Sequence, residues 1–385
     1  MTQRTSDAPA GSPPGFLAEV KDAVTTRAAL LVIGVLALQL AFIASYIGAF
    51  HQPKPHEIKL AVVTPAAQIT DQAVQRLDAL PGDPLDASAV ENEATAVEQI
   101  KDREVDGALL IDPRGNTDRL LVASGAGASL SQALQEVVQA VEAAQRRNLV
   151  TVDVAPAAKG DARGLSSFYL VVGWCVGGYL CAAILAISAG ARPANSARAL
   201  IRLGALLLYA VVAGLLGAVI AGPVLDALPG SLMALWGLGT LLVFAVGALT
   251  LALQGLAGVI GIGLAILIVV VLGNPSAGGA YPWPLLPPFW RAIGPWFPPG
   301  AGTYAARSVA YFKGNDMTFS MLVLAGWAVL GAAVTMACAL LRKGGGQGPA
   351  GGTAPGDTTP GTTTPRATAP GGTAPGDTAA PGGRP

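Results

Sequence analysis

The 64 consecutive residues from Ala227 to Trp290 contain no lysine, arginine, aspartate or glutamate. A helix at a water interface needs a polar face, and an uncharged stretch about three spans long has none to offer. Such a chain needs lipid as its solvent. The rest of the composition agrees: only 12% of the residues are charged and the mean hydropathy is +0.52, whereas about a quarter of a soluble globular chain is charged. The span from His51 to Arg163 is by contrast densely charged, so one chain encodes two environments. The formal net charge of zero leaves no long-range attraction for nucleic acid, which is excluded as a partner.

A membrane span requires about 20 uncharged, mostly apolar residues. Ala28–Phe50 meets this as an uncleaved signal anchor, and residues 1–27 precede it, with Phe16, Leu17, Val20 and Val24 at the spacing of an amphipathic interfacial helix. Ser166–Ser188 and Leu203–Ala221 follow, the latter ended by Gly222-Pro223. The run Ser231–Gly273 suits two spans joined near Gln254-Gly255, and Ser320–Leu341 is the last. Three basic clusters set the orientation: Arg4, Lys21 and Arg27; Arg192, Arg198 and Arg202; Arg342 and Lys343. All three are cytoplasmic by the positive-inside rule, which needs an even number of spans between the second and the third. The expected fold is therefore a mainly α polytopic membrane protein of about six transmembrane helices, with both termini cytoplasmic and one extracellular domain at residues 51–163.

That domain reads as α/β. Ile58, Leu60 and Val62 alternate as in a strand, Gly107 to Ile111 suits a buried one, and Leu120 to Ala123 and Val150 to Val154 are further short strands. Two capping boxes, Ser88-Ala89-Val90-Glu91 and Ser129-Leu130-Ser131-Gln132, mark expected helix starts. The domain has no cysteine, since Cys175, Cys181 and Cys338 all fall in apolar stretches, so no disulfide framework or cysteine metal site is expected. Residues 344–385 are rich in Gly, Pro, Thr and Ala, with GGTAPGDT at Gly351 and again at Gly371, and read as a disordered cytoplasmic tail.

Chemistry-bearing patterns are few. No GxxxxGK[ST] segment is present, so a nucleotide-driven process needs an ATPase on another chain. No carboxylate, histidine or basic side chain lies inside a proposed span, which disfavours ion coupling. His51 and His56 flank Pro53 and Pro55 and read as solvated juxtamembrane residues. No catalytic set, cofactor site or metal site is expected, and the chain is not read as an enzyme. The most distinctive stretch, within residues 274–312, crowds Trp283, Trp290 and Trp296 among eight prolines, with Arg291 and Arg307 nearby. Proline breaks helices and aromatic rings favour the headgroup layer, so these five residues form a candidate outer gate or an interface belt built of short broken helices.

With its Ser276-Ala277-Gly278-Gly279 stretch, Pro282, Pro287, Pro295, Pro298 and Arg307 before the last span, the chain resembles the permease subunits of type-2 ABC exporters, in the branch of the phage-infection-protein-like membrane proteins. The resemblance covers residues 16 to 343 and implies a first helix, a large extracellular domain and five further helices. It also implies a homodimer, with the small-residue face Gly173, Gly177 and Gly178 available, and a separate ATPase contacting the loop Ala189 to Arg202 through Arg192, Arg198 and Arg202. The expected function is outward movement of an amphipathic or lipid-like substrate. The alternative is a non-transporting membrane protein whose extracellular domain binds a ligand or partner.

Overall fold

The computed structural model describes residues 25–190, 193 and 195–343. The interfacial helix expected before residue 25, Arg192 and the tail from residue 344 lie outside the described residues.

Five helices are long and apolar enough to cross a membrane, which marks this as a mostly helical, membrane-embedded protein carrying a small mixed sheet. They are α1 (Thr26–Phe50), α5 (Ser166–Ala189), α6 (Ser196–Val219), α7 (Leu232–Ala257) and α11 (Thr318–Lys343). The proposed third span proves longer: α6 runs on through a π-helical turn, Ile220–Val224, that contains Pro223 instead of stopping before it. Between α5 and α11, α7 forms the centre of the bundle. Glycines allow the close crossings, because without lipid-versus-water contrast between helices it is backbone approach that generates packing energy. A β-carbon on Gly178 would stand 2.7 Å from the Val243 carbonyl, and one on Gly214 would stand 2.6 Å from the Thr240 nitrogen. Gly177 packs on Tyr209, so of the three glycines expected to offer a dimer face only Gly173 remains open.

The expected count of six spans is corrected to five and a short one. After α7 the chain reverses at Gly258, whose φ of 64° is left-handed, and not at Gln254-Gly255. Gln254 stays in α7 with its side chain fully buried. The returning helix α8 (Ile260–Ile266) has seven α-helical residues and continues for seven more as a π-helical stretch to Gly273. At 1.5 Å per residue that is about 21 Å, short of a ~30 Å hydrocarbon layer. The hairpin still returns the chain to the end of the bundle that carries the sheet. The Trp283 turn that follows packs there, as do Gly160 against Asp226 and Gly230 against Val309.

The sheet domain contains β1 (Ile58–Val63), α2 (Ala67–Asp78), β2 (Leu85–Ala89), α3 (Glu93–Asp102), β3 (Gly107–Leu110), β4 (Thr117–Val122), α4 (Ala128–Ala144) and β5 (Asn148–Asp153). Strand order is β2-β1-β3-β4-β5, parallel except for the antiparallel β3–β4 pair. Alternation in β1 sends Ile58, Leu60 and Val62 to the face covered by α2 and α4. Ala61 goes to the other face, under Ala96 and Ile100 of α3. Neither capping box works as one. Ser88 lies in β2, and α3 starts later, with Asn92 Oδ1 accepting from the Thr95 amide at 2.9 Å. Ser129 lies inside α4, where its hydroxyl donates to the Ala280 carbonyl at 2.7 Å.

One acid pair sits in this domain beside a cavity of about 200 Å³. Glu142 is 3% exposed and Asp118 1%. Burial, reinforced by Asp118 alongside, pushes Glu142 up to about 7. Burial alone would raise Asp118 too, but its hydrogen bonds from Arg147 and from the Asp112 amide outweigh that and hold it below the usual range. Between pH ~4.5 and ~7 the folded protein keeps the Glu142 proton while the unfolded chain has lost it, so stability falls as pH rises, by at most about 1.4 kcal/mol per unit. Asp118 contributes with the opposite sign, and only below about pH 4. The detergent-solubilised protein should therefore unfold at a higher temperature at pH 5 than at pH 7.5, and Glu142→Gln should flatten that difference; an unchanged slope in the variant would exclude Glu142 as its source.

Candidate ligand cavity between sheet and bundle

The proline-rich segment forms a chain of short elements whose starts the prolines define. A 3₁₀ turn, Trp283–Leu285, leads to α9 (Pro288–Ile293), a second 3₁₀ turn, Gly294–Trp296, and α10 (Pro298–Tyr311). Proline at the first helical position loses no hydrogen bond and has its φ already set, so each helix can start there but none can run through. The chain dips into the bundle and climbs back. At the bottom the Trp296 carbonyl accepts from Trp327 Nε1 at 2.8 Å, and Gly302 rests on Leu242 and Val171. At the top Tyr311 donates to Asp161 at 2.6 Å.

Both faces of the sheet are fastened to this segment. Leu285 is buried in the core shared with α2 and α4, and Phe312 in the core shared with α3. Gly127, at the start of α4, has a φ of 140° and lets Pro282 pack where a β-carbon would stand, 2.6 Å from its Cγ. Asn315 Nδ2 donates to Asp102 Oδ1 at 2.6 Å.

Within this junction lies a cavity of about 340 Å³. Arg307, on α10, is 4% exposed. Its Nη1 donates to the Gly278 carbonyl at 2.6 Å, and its Nη2 to Gly279 at 2.7 Å and Gly164 at 3.2 Å. Its Nε has no partner. Burial, with Arg103 nearby, pushes the guanidinium down to about 10, so it stays charged at neutral pH. Arg103 ends α3 in the left-handed region, φ 64°. From there it donates to the Tyr304 carbonyl at 3.0 Å and to Ser308 Oγ. Its charged carbon lies 3.5 Å from the centroid of the Tyr304 ring, a cation–π contact, and Trp283 is stacked on that ring with centroids 5.2 Å apart. Burial raises Asp106 above the usual carboxylate range, only partly opposed by the Lys59 amide and Arg103.

The third arginine, Arg291, lines the same cavity with Nη1 buried and unpartnered. Among the described residues, no carboxylate oxygen lies within 4.0 Å of Arg103, Arg291 or Arg307. Comparison of the chain with protein-family models, with curated proteins and with solved structures found no match. The cavity is therefore interpreted from its own chemistry: guanidinium groups in no direct ion pair among the described residues, beside the aromatic walls Trp283, Phe312 and Phe319.

Of the five residues expected to form an outer gate, Trp283, Arg291 and Arg307 line this cavity. Trp290 lies off it, packed with Ala49 and Leu286 at the end of α1. Trp296 is 60% exposed and meets Phe319 edge-on. His56 lines the cavity with its Nδ1 buried 3.6 Å from a Glu57 oxygen while its side chain as a whole stays 35% exposed, and His51 is exposed. At the far end of the bundle Arg198 is exposed in the first turn of α6. Arg202 is 5% exposed and donates to the Gly190 carbonyl at 2.7 Å. The cavity residues missed by sequence reasoning are Arg103, Asp106, Tyr304 and Asp316. Nothing local marks them, because Arg103 reaches its partners across about 200 residues of chain.

Proposed function

We propose that this chain is the permease subunit of a type-2 ABC exporter, moving an amphipathic or lipid-like substrate outward with a separate ATPase. The observation that supports it is the junction cavity, which pairs cationic and aromatic walls where the sheet domain meets the helical bundle. A cargo with one polar and one apolar end matches that pairing, and neither a fully aqueous nor a fully lipidic site would supply both. In this reading the sheet domain is extracellular, both termini are cytoplasmic, the chain has no enzymatic activity of its own, and two copies form the working unit. The ATPase meets the loop between α5 and α6, where Arg198 is exposed.

One observation favours the second reading, a non-transporting protein whose outer domain binds a ligand. The cavity beside Glu142 is also lined by Ile111, just beyond β3, near the point where the strand order reverses from β1–β2 to β1–β3. Open α/β sheets bind ligands at such reversals. Purification from mild detergent separates the two. A stoichiometric ATPase should be recovered with the wild-type chain and lost with Arg198→Glu; its reproducible absence would leave only the second reading.

A further inference from the structure

Two guanidinium groups line one cavity with no carboxylate oxygen within 4.0 Å of either among the described residues, Asp161 acting on Arg307 only from farther away. Arg307 is held by three carbonyls that fix its orientation but carry no full charge, and its Nε is left over. Arg291 has no side-chain hydrogen bond for its buried Nη1. A buried, unpartnered N–H on a cation is among the most costly arrangements a protein can hold, and native structures keep it mainly where something else supplies the acceptor. The carboxylates on the same cavity are otherwise engaged. Asp316 accepts from the Tyr304 hydroxyl, Asp106 accepts from the Lys59 amide, and Glu57 lies beside His56.

We propose that the junction cavity binds the oxyanion of an acidic amphiphile, a phosphate or a group of like geometry, between Arg291 and Arg307. The planar guanidinium of Arg291 can present paired N–H groups to the oxygens of such an anion, for which Arg is favoured over Lys, and Arg307 adds its single unpartnered Nε–H. Trp283 and Phe312 wall the space around the head group. The rim carries Phe319, the second residue of α11 and 45% exposed, followed one turn on by Leu322, 67% exposed. An acyl tail would leave along that apolar strip while the head group stayed on the arginines. The proposal rests on the export reading for its role as cargo site, but the binding itself is measurable without transport.

The test uses the full chain in mild detergent, titrated with short-chain phosphatidic acid, with the phosphatidylcholine of the same tails, and with inorganic phosphate. Lipid adducts are read by native mass spectrometry and ligand stabilisation by thermal unfolding. Phosphatidic acid should bind saturably and raise the unfolding temperature, phosphatidylcholine should not, and Arg291→Gln should weaken phosphatidic acid at least tenfold. Arg291→Lys, keeping the charge but not the fork, should recover part of that loss, and Arg119→Gln, an equal loss of charge on an exposed ion pair with Glu93, should leave it unchanged. Stabilisation by inorganic phosphate as strong as by phosphatidic acid, and equally sensitive to Arg291→Gln, would support the anion site with a free oxyanion as its source. Equal binding of the two lipids, or an Arg291→Gln variant that folds with undiminished phosphatidic acid affinity, would overturn the proposal. An ATPase recovered without lipid selectivity removes this site and leaves export standing; lipid selectivity without an ATPase does the reverse.

Discussion

Arg307→Met, which keeps an unbranched stem but removes the guanidinium, should destabilise the protein by about 3 kcal/mol or more and detach the sheet domain from the bundle. The wild-type side chain satisfies the carbonyls of Gly278, Gly279 and Gly164, which belong to the loop after α8 and to the linker before α5. Hydrogen bonds to a charged donor contribute about 1.5–3 kcal/mol each, and an orphaned buried acceptor costs about 1–3 kcal/mol. Relief from burying a cation acts in the opposite direction and is worth several kcal/mol. Three acceptors against one charge leaves the loss in excess. Arg307→Lys supplies a single compact ammonium in place of the fork and should recover less than half. Thermal unfolding in detergent measures the first effect, and amide hydrogen exchange across residues 276–282 locates it. A variant with wild-type stability and protection there would show that the three bonds do not hold the junction.

Gly300→Ala should be comparably damaging, against the direction that helix propensity indicates. Alanine in place of glycine within a helix gains about 1 kcal/mol. At Gly300, however, a β-carbon would fall onto the carbonyl group of Gly294, and both partners are backbone. Overpacking of this kind typically costs 1–3 kcal/mol, and more where neither side can yield. Pro298 and Pro299 immediately before it fix the entry of α10, which removes the easiest way to relax. We expect a net loss of about 2 kcal/mol and a poorly monodisperse protein. Gly326→Ala in α11, with nothing within 4 Å of the new carbon, is the matched control and should behave as wild type on size exclusion and thermal unfolding. Equal behaviour of the two variants would refute the close approach of α10 to the Gly294 turn.

These two sites differ in how much of them could be read in advance. The five long helices were legible because lipid imposes one requirement, uncharged length, on every span. The sixth was misjudged for the same reason: hydropathy sees an apolar run but not where Gly258 and Gly261 let it reverse. Strands β1, β3, β4 and β5 showed through their alternation or their apolar runs, whereas β2, Leu-Asp-Ala-Ser-Ala at the sheet edge, has little β-preference and forms only because β1 pairs with it. Arg291 and Arg307 stood out as charges in an apolar stretch. Arg103 did not, since a basic residue at a helix end is ordinary until Tyr304 and Phe312 are placed over it. What the one-dimensional pattern could not carry was the pairing of early and late segments, which depends on contacts between distant parts of the chain.

That pairing also sets a timetable. The sheet domain is complete in the nascent chain by Arg163, yet its two cores are closed by Leu285 and Phe312, which the ribosome adds more than a hundred residues later. At 5–20 residues per second the delay is on the order of ten seconds. During it the domain has an apolar opening on each face of its sheet, where Leu285 and Phe312 will later seat. Completion of both cores therefore waits on synthesis of the segment from Leu285 to Phe312, and a translational pause within the Pro287-Pro288 or Pro298-Pro299 pairs would lengthen that interval.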